Sequence, residues 1–132
     1  MALHLQNVSV DSLEPSRLAA FWADVLGWRV TFDDGDEVVL EPPAGSPQDG
    51  ISPDIVFIRV PDGRIAKSRF HLDLRPSDQF AEVQRLEELG ATHVDIGQPP
   101  DCTWVVLADI EGNEFCVLRP LNTEEVAPLI DR

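Results

Sequence analysis

An internal duplication constrains the fold of this chain more than any other feature of the sequence. Two segments of similar length, Asn7 to Gly27 and His71 to Gly90, each consist of a strand pattern and an amphipathic helix that stops at a Leu-Gly pair. Three further strand patterns follow each helix. The sequence therefore predicts an α+β fold made of two βαβββ modules at about residues 3–62 and 67–120, with a C-terminal tail at 121–132.

The element boundaries follow from hydrophobic periodicity and from turn residues. In the first module we expect a strand at 3–10, a helix capped by Asp11 or Ser12 that ends at Gly27, and strands at 28–32, 37–40 and 55–60. In the second we expect a strand at 69–75, a helix at 78–89, and strands at 92–96, 103–108 and 114–119. The inward face of the second helix is predicted to carry Phe80, Val83, Leu86 and Leu89.

This arrangement predicts where a binding site lies. A curled sheet with a helix on its outer face leaves its concave face unfilled, so two such modules would enclose a cleft. A ferredoxin-like or cystatin-like sheet is the structural competitor, but neither explains two helices that are each followed by three strands. The mixed sheet around a cleft, with both helices outside, is the favoured architecture.

Composition limits the number of domains and the kinds of partner. The chain has 132 residues with 43% apolar content, which suits one domain spanning 1–132. Its net charge of −14 opposes binding to nucleic acid or to anionic membranes. Without a run of about 20 apolar residues or a signal-like start, we expect a soluble cytoplasmic protein. Cys102 and Cys116 fall out of register in the last hairpin and are expected to be reduced.

Three stretches carry a resemblance to a known superfamily. Residues 21–28 (FWADVLGW) and 104–115 (WVVLADIEGNEF) resemble the first-helix and last-hairpin signatures of the vicinal oxygen chelate superfamily, which includes glyoxalases, bleomycin-resistance proteins and extradiol dioxygenases. Residues 61–74 resemble a glyoxalase-like subfamily whose members mostly lack an assigned reaction. The resemblance implies a homodimer with a cleft for a small molecule.

The resemblance also implies positions for a divalent metal. Metal-dependent members carry four ligands, one on the first and one on the last strand of each module, and these positions correspond here to Asn7, Phe57, His71 and Cys116. Only His71 matches the usual His or Glu, since Phe57 cannot bind a metal, Asn7 is a poor donor and Cys116 would have to be a thiolate. We therefore expect the usual metal site to be missing, with no cofactor unless His71 binds an ion.

Strand alternation groups the remaining candidates. His71, Asp73 and Arg75 alternate onto one face of their strand, with Phe70, Leu72 and Leu74 on the other, and Glu114 shares a face with Cys116. His71 and Asp73 are the candidate catalytic residues. The candidate cleft residues are Asn7, Phe57, His71, Asp73, Trp104, Glu114 and Cys116.

Each candidate also has a structural interpretation. His71 could simply be hydrogen-bonded to Asp73, Asp73 could pair with Arg69 or Arg75, and Cys116 could be a core residue or a thiol activated by His71. Trp104 could pack in the core or stack on a planar ligand. His4 and His93 are expected to face solvent.

Three functions from different classes remain open at this point. The first is a metal-independent protein that sequesters a small organic molecule, for which the acidic surface would suit an amphipathic cation. The second is a lyase, isomerase or dioxygenase in which His71 binds a metal or acts as an acid or base, helped by Asp73, Glu114 or a water at the missing ligand positions. The third is an interaction module without ligand chemistry.

Overall fold

The computed structural model describes residues 5–125, and the chain divides into two compact units, residues 1–65 and 66–132. His4 and most of the predicted tail lie outside the described residues. The elements of unit 1 are β1 (Asn7–Ser12), α1 (Pro15–Leu26), β2 (Arg29–Asp33), β3 (Glu37–Glu41) and β4 (Asp54–Arg59). Those of unit 2 are β5 (Leu72–Leu74), α2 (Gln79–Glu88), β6 (Thr92–His93), β7 (Val105–Ala108) and β8 (Glu114–Val117). The predicted α+β fold with two βαβββ modules is confirmed.

Unit 1 contains a four-stranded mixed sheet in the order β1-β4-β3-β2, in which β1 and β4 are parallel and the other pairs are antiparallel. Helix α1 contacts β3 and β4. On these strands Val38 lies opposite Phe57, and both side chains are completely buried, as is Leu40. Because paired residues point to the same side of a sheet, these side chains form the face that α1 covers.

Helix α1 starts later than its sequence signals suggest. The prediction that Asp11 or Ser12 caps it is wrong, because both residues complete strand β1 and the Ser12 carbonyl accepts a hydrogen bond from the Val60 amide. Glu14 is the N-cap residue and makes no side-chain cap, while Pro15 supplies a preset helical φ at the first position. The helix ends at Gly27 in the left-handed conformation, as the sequence indicated.

Unit 2 repeats this topology with shorter strands, in the order β5-β8-β7-β6, with β5 and β8 parallel. The Asp78 carboxylate accepts a hydrogen bond from the Ala81 amide and so caps α2. Beneath the helix the register aligns Leu107 with Phe115 and Val105 with Val117. The core of this unit includes Leu86, Leu107, Phe115 and Val117.

Strands β5 and β6 are shorter than predicted for two different reasons. Because Leu72 pairs with Phe115, residue 70 would lie opposite the turn that precedes β8, and Phe70 is accordingly 94% exposed rather than inward-facing. Strand β6 stops at His93, since the Asp95 and Gln98 side chains accept hydrogen bonds from the backbone amides of Gly97 and Ile96. These local bonds form a turn in place of a longer ladder.

The prediction that Phe80 faces inward is also wrong, since its side chain is 75% exposed. In the first turn of α2, Gln79 takes the inward position, where its amide donates to the carbonyl oxygens of Thr103 and Val117. Val83 and Leu86 are buried as predicted, and Leu89 is half-buried.

Among residues 5–125, no helix is long and apolar enough to cross a membrane. Neither cysteine forms a disulfide: Cys102 is a half-buried free thiol and Cys116 a buried one. His93 is exposed and lies 2.6 Å from the Glu87 carboxylate, measured from Nε2 to Oε1. The expectations of a solvent-facing His93 and of reduced cysteines agree with this structure.

Candidate functional site

The parallel pairing of β5 and β8 brings three chemically active side chains together in unit 2. Asp73 lies opposite Cys116 in this register, so their side chains share a face of the sheet. His71 precedes Asp73 by two residues and points to the same side, with its Nδ1 atom 3.2 Å from the Asp73 Oδ1 atom. One potential ligand atom from each of the three residues lies within 4.8 Å of the others. We call His71, Asp73 and Cys116 the β5–β8 cluster.

The cluster is open to solvent on one side and buried on the other. The side chains of His71 and Asp73 are 38% and 50% exposed, whereas Cys116 is buried. An ionised Asp73 can only accept hydrogen bonds, so Nδ1 of His71 carries the proton of this pair when the imidazole is neutral. The Nε2 atom then presents a lone pair, which can accept a hydrogen bond or bind a cation.

The Cys116 thiol is not activated by its neighbours. Burial raises the pKa of Cys116 to about 11, and the negative charge of Asp73 together with the thiol–carboxylate hydrogen bond adds to the effect. The positive charge of Lys67 lowers the pKa of this thiol, but it is a smaller influence. This raised pKa favours the protonated thiol at neutral pH and does not support the interpretation of Cys116 as a thiol activated by His71.

The partner of Asp73 within the cluster is His71 rather than Arg75. The Arg75 guanidinium donates instead to the carbonyl oxygen of Arg119 at 2.7 Å. Among the structural alternatives, the hydrogen bond between His71 and Asp73 is thus the one present. Because both side chains are exposed, the bond leaves the pair accessible to a ligand.

Two further candidates of unit 2 lie near the cluster in the sheet. Glu114 precedes Cys116 by two residues on β8, pairs with Ala108 and is buried. Trp104, half-buried, immediately precedes β7, where Val106 pairs with Cys116, and strand alternation assigns Trp104 to the side of Val106. The ligand atoms that come together are those of His71, Asp73 and Cys116.

The candidates of unit 1 do not form a comparable group. Strand β1 places Asn7 opposite Asp54, whereas Phe57 pairs with Val10 and Val38 on the opposite face, beneath helix α1. On the Asn7 side of β4 the nearest central side chain is that of Val56. The Asn7 amide donates to the Ser9 hydroxyl at 3.0 Å. Asn7 therefore shares its face of the sheet with Val56 rather than with Phe57. The side chains of Val56 and Phe57 are both apolar and cannot bind a metal.

The four-position metal site implied by the superfamily therefore does not fit this chain. Its two positions in unit 1 offer one neutral amide and one buried phenyl ring. Its two positions in unit 2 offer the imidazole of His71 and the protonated thiol of Cys116. The carboxylate beside them, that of Asp73, is not one of the four superfamily positions. This chain thus has polar side chains at its unit 2 positions, but the four positions together lack the oxygen and nitrogen donors that such a site requires.

Sequence reasoning missed the contribution of Lys67, whose charge reaches the Cys116 thiol. The available signal was its position four residues before His71 in the stretch 61–74. Lysine is otherwise typical of a solvated surface, and the strand pattern alone gave no reason to place its ammonium group near β8.

The comparison with protein families decides the classification. The model described as a glyoxalase-like domain matches residues 7–118. The chain belongs to this family, within the vicinal oxygen chelate superfamily. No curated protein matches it significantly.

Solved structures show the same fold at low sequence identity. The fosfomycin resistance protein FosX from Listeria monocytogenes, complexed with Mn(II) and sulfate, aligns with a TM-score of 0.69 and 11% identity over 98% of this chain and 99% of that one. The bleomycin-binding protein of Streptomyces verticillus, complexed with copper(II)-bleomycin, aligns with a TM-score of 0.58 and 16% identity over 92% and 100%. A glyoxalase/bleomycin resistance protein/dioxygenase family enzyme from Burkholderia phytofirmans PsJN aligns at 0.64 with 18% identity over 90% and 100%.

Proposed function

We propose that this glyoxalase-like protein binds a small organic molecule through the β5–β8 cluster, without the usual four-position metal site of its superfamily. The observation that carries the proposal is the exposed His71–Asp73 pair beside the buried, protonated Cys116 thiol. Such a group offers one carboxylate, one imidazole lone pair and a polarizable wall. These features suit reversible recognition better than covalent chemistry.

The charges of the site and of the chain favour a ligand with a cationic or hydrogen-bond-donating group. Asp73 supplies a negative charge at the cluster, and the chain carries a net charge of −14. A protonated amine could donate to both the Asp73 carboxylate and Nε2 of His71, because both accept hydrogen bonds in the state described above. Solved structures of the same fold contain copper(II)-bleomycin or, with Mn(II), dihydroxypropylphosphonic acid. Bleomycin is the better starting compound for a site that favours cations.

The test is a thermal-shift screen of the untagged protein, followed by calorimetry on any compound that stabilises it. The screen contains metal-free and copper-loaded bleomycin, fosfomycin with Mn(II), and a set of aromatic amines. We expect His71→Ala to weaken the binding of a stabilising compound about tenfold or more without unfolding the protein, since hydrogen bonds to charged groups are lost.

His93→Ala is the matched control, because His93 is an exposed histidine of the same unit that pairs with Glu87 outside the cluster. It should leave ligand affinity unchanged. Equal affinity of the wild type and His71→Ala would refute the proposal. A screen in which no compound stabilises the protein would favour an interaction module instead.

The second candidate function is a metal-dependent lyase, isomerase or dioxygenase. It is favoured by one observation, the convergence of three potential ligand atoms within 4.8 Å. Turnover that a chelator abolishes and an added divalent metal restores would support this second function over simple binding. The homodimer implied by the family belongs to the same proposal, and light scattering at several protein concentrations measures it.

A further inference from the structure

We propose that His71, Asp73 and Cys116 form a binding site for a thiophilic divalent cation such as Zn²⁺, built entirely within unit 2. The proposal rests on the proposed function in locating ligand recognition at the β5–β8 cluster, but it assigns that cluster a second kind of ligand. It differs from the superfamily arrangement in three ways: it uses Asp73, it uses a thiolate, and it requires neither Asn7 nor Phe57.

The spacing of the donor atoms fits a tetrahedral ion. With zinc bonds of about 2.0–2.2 Å to nitrogen or oxygen and about 2.3 Å to sulfur, two ligand atoms lie roughly 3.3–3.5 Å apart. Nδ1 of His71 and Oδ1 of Asp73 are 3.2 Å apart, and the whole set fits within 4.8 Å. For Nδ1 to bind the ion, the proton of the neutral imidazole moves from Nδ1 to Nε2, which changes the tautomer but not the charge. The remaining adjustment is about 1 Å, within reach of the side-chain torsions of two exposed residues.

The donor chemistry selects the ion. One imidazole nitrogen, one carboxylate oxygen and one thiolate sulfur form a mixed set that suits Zn²⁺ or Co²⁺, whereas Mn²⁺ and Mg²⁺ prefer oxygen ligands. Binding replaces the Cys116 S–H bond with a sulfur–metal bond and releases one proton to solvent, so the site gains one negative charge toward the dication. The exposure of His71 and Asp73 leaves the fourth coordination position to water or to a donor atom of an organic ligand.

The fold explains why these donors meet. The parallel register of β5 and β8 sets Asp73 directly against Cys116, and strand alternation brings His71 to the same side. Asp73 and Cys116 therefore come from two adjacent strands of one sheet, and His71 immediately precedes the first of them. A site of this kind depends on the fold of unit 2 alone.

The experiment uses the full-length, untagged protein after treatment with a chelator. Titration with Co²⁺ should produce a thiolate-to-cobalt charge-transfer absorption, and subsequent Zn²⁺ should remove it. Zn²⁺ should raise the melting temperature, and Mn²⁺ at the same concentration should have little effect. Cys116→Ser should abolish the charge-transfer band, and His71→Ala and Asp73→Asn should each weaken zinc binding about tenfold or more.

Asn7→Ala and His93→Ala are the matched controls and should bind zinc as the wild type does. Circular dichroism establishes that each variant is folded, and Cys116→Ala serves as a second test if Cys116→Ser is unstable. The proposal is overturned if the wild type gives no charge-transfer band, or if zinc affinity is unchanged in Cys116→Ser. Loss of zinc binding in Asn7→Ala would also overturn it, because that result would indicate the four-position site.

The same variants separate this proposal from the proposed function. If zinc does not bind but an organic ligand still depends on His71, only the cation site is refuted. If zinc binds as described but no organic ligand depends on His71, the proposed function fails and the cation site stands.

Discussion

Asp73 and Cys116 lie opposite each other on the parallel strands β5 and β8, so the carboxylate and the thiol share one face of the sheet. Burial and this neighbour hold the pKa of Cys116 at about 11. At about pH 8 only roughly one thiol in a thousand is then ionised, compared with about a quarter for a free cysteine of pKa 8.5. The position of Asp73 beside Cys116 therefore favours the protonated form of this thiol.

The first prediction concerns alkylation of this thiol. Iodoacetamide at about pH 8 should label Cys116 far more slowly than a free cysteine, because both the thiolate fraction and the access are low. Asp73→Asn removes the charge that opposes ionisation and should accelerate labelling. Peptide mass spectrometry of a time course measures the rate at Cys116, and rapid labelling in the wild type would show that the thiol is ionised after all.

The second prediction concerns the ion pair between Arg119 and Glu125, which follows β8. Two guanidinium nitrogens of Arg119 lie 2.9 Å from the two Glu125 carboxylate oxygens. The hydrogen bonds from Arg119, together with one from the backbone amide of Asn122, lower the pKa of Glu125 to about 2. Because the folded-state pKa is depressed, this interaction is intact above about pH 5 and is lost as the pH falls toward 2. NMR titration of the Glu125 carboxyl should show the low pKa, and Arg119→Met should move it back toward 4.5. A Glu125 pKa near 4.5 in the wild type would mean that this ion pair does not form.

The third prediction compares two glycines that follow the helices. Gly27 and Gly90 both have positive φ, at 67° and 115°, but a Cβ atom at Gly90 would lie 2.9 Å from the Ile110 Cγ2 atom, while nothing lies within 4 Å of one at Gly27. Gly27→Ala should cost about 1–2 kcal/mol of unfolding free energy through backbone strain alone. Gly90→Ala should cost more than Gly27→Ala, since it adds a clash in unit 2. Urea denaturation of both variants measures the difference, and equal costs would argue against the contact with Ile110.

The fourth prediction compares two phenylalanines of unit 2. Phe115 is 1% exposed and Phe80 is 75% exposed. Phe115→Ala should reduce the free energy of unfolding by about 3–5 kcal/mol through lost burial and a cavity. Phe80→Ala should change it by less than about 0.5 kcal/mol. A large loss of unfolding free energy in Phe80→Ala would indicate that Phe80 faces inward, as the sequence suggested.

The sequence predicted the fold well because the repeated pattern is strong. Two Leu-Gly helix ends and the turns at 33–36 and 109–112 set most boundaries to within a few residues. The failures have local causes. Asp11 and Ser12 resemble helix caps, but their backbones belong to strand β1, and Phe80 continues an apolar stripe whose inward position is filled by Gln79.

The candidate site was predicted in part. Strand alternation correctly placed His71 with Asp73, because a period of two is fixed by strand geometry. The sequence could not supply the register between β5 and β8, which makes Asp73 the neighbour of Cys116. It also could not show that Phe57 lies on the helix-covered face of unit 1, since alternation fixes relative faces within a strand but not which face a helix covers.

We propose that the β5–β8 cluster takes the place of the usual four-position metal site, and the metal content of the purified protein tests this proposal most directly. Elemental analysis of untagged protein, purified without chelator, should find no stoichiometric manganese or iron. Any zinc should be lost in Cys116→Ser and retained in Asn7→Ala. One equivalent of manganese or iron that survives in Cys116→Ser and disappears in Asn7→Ala would contradict the account.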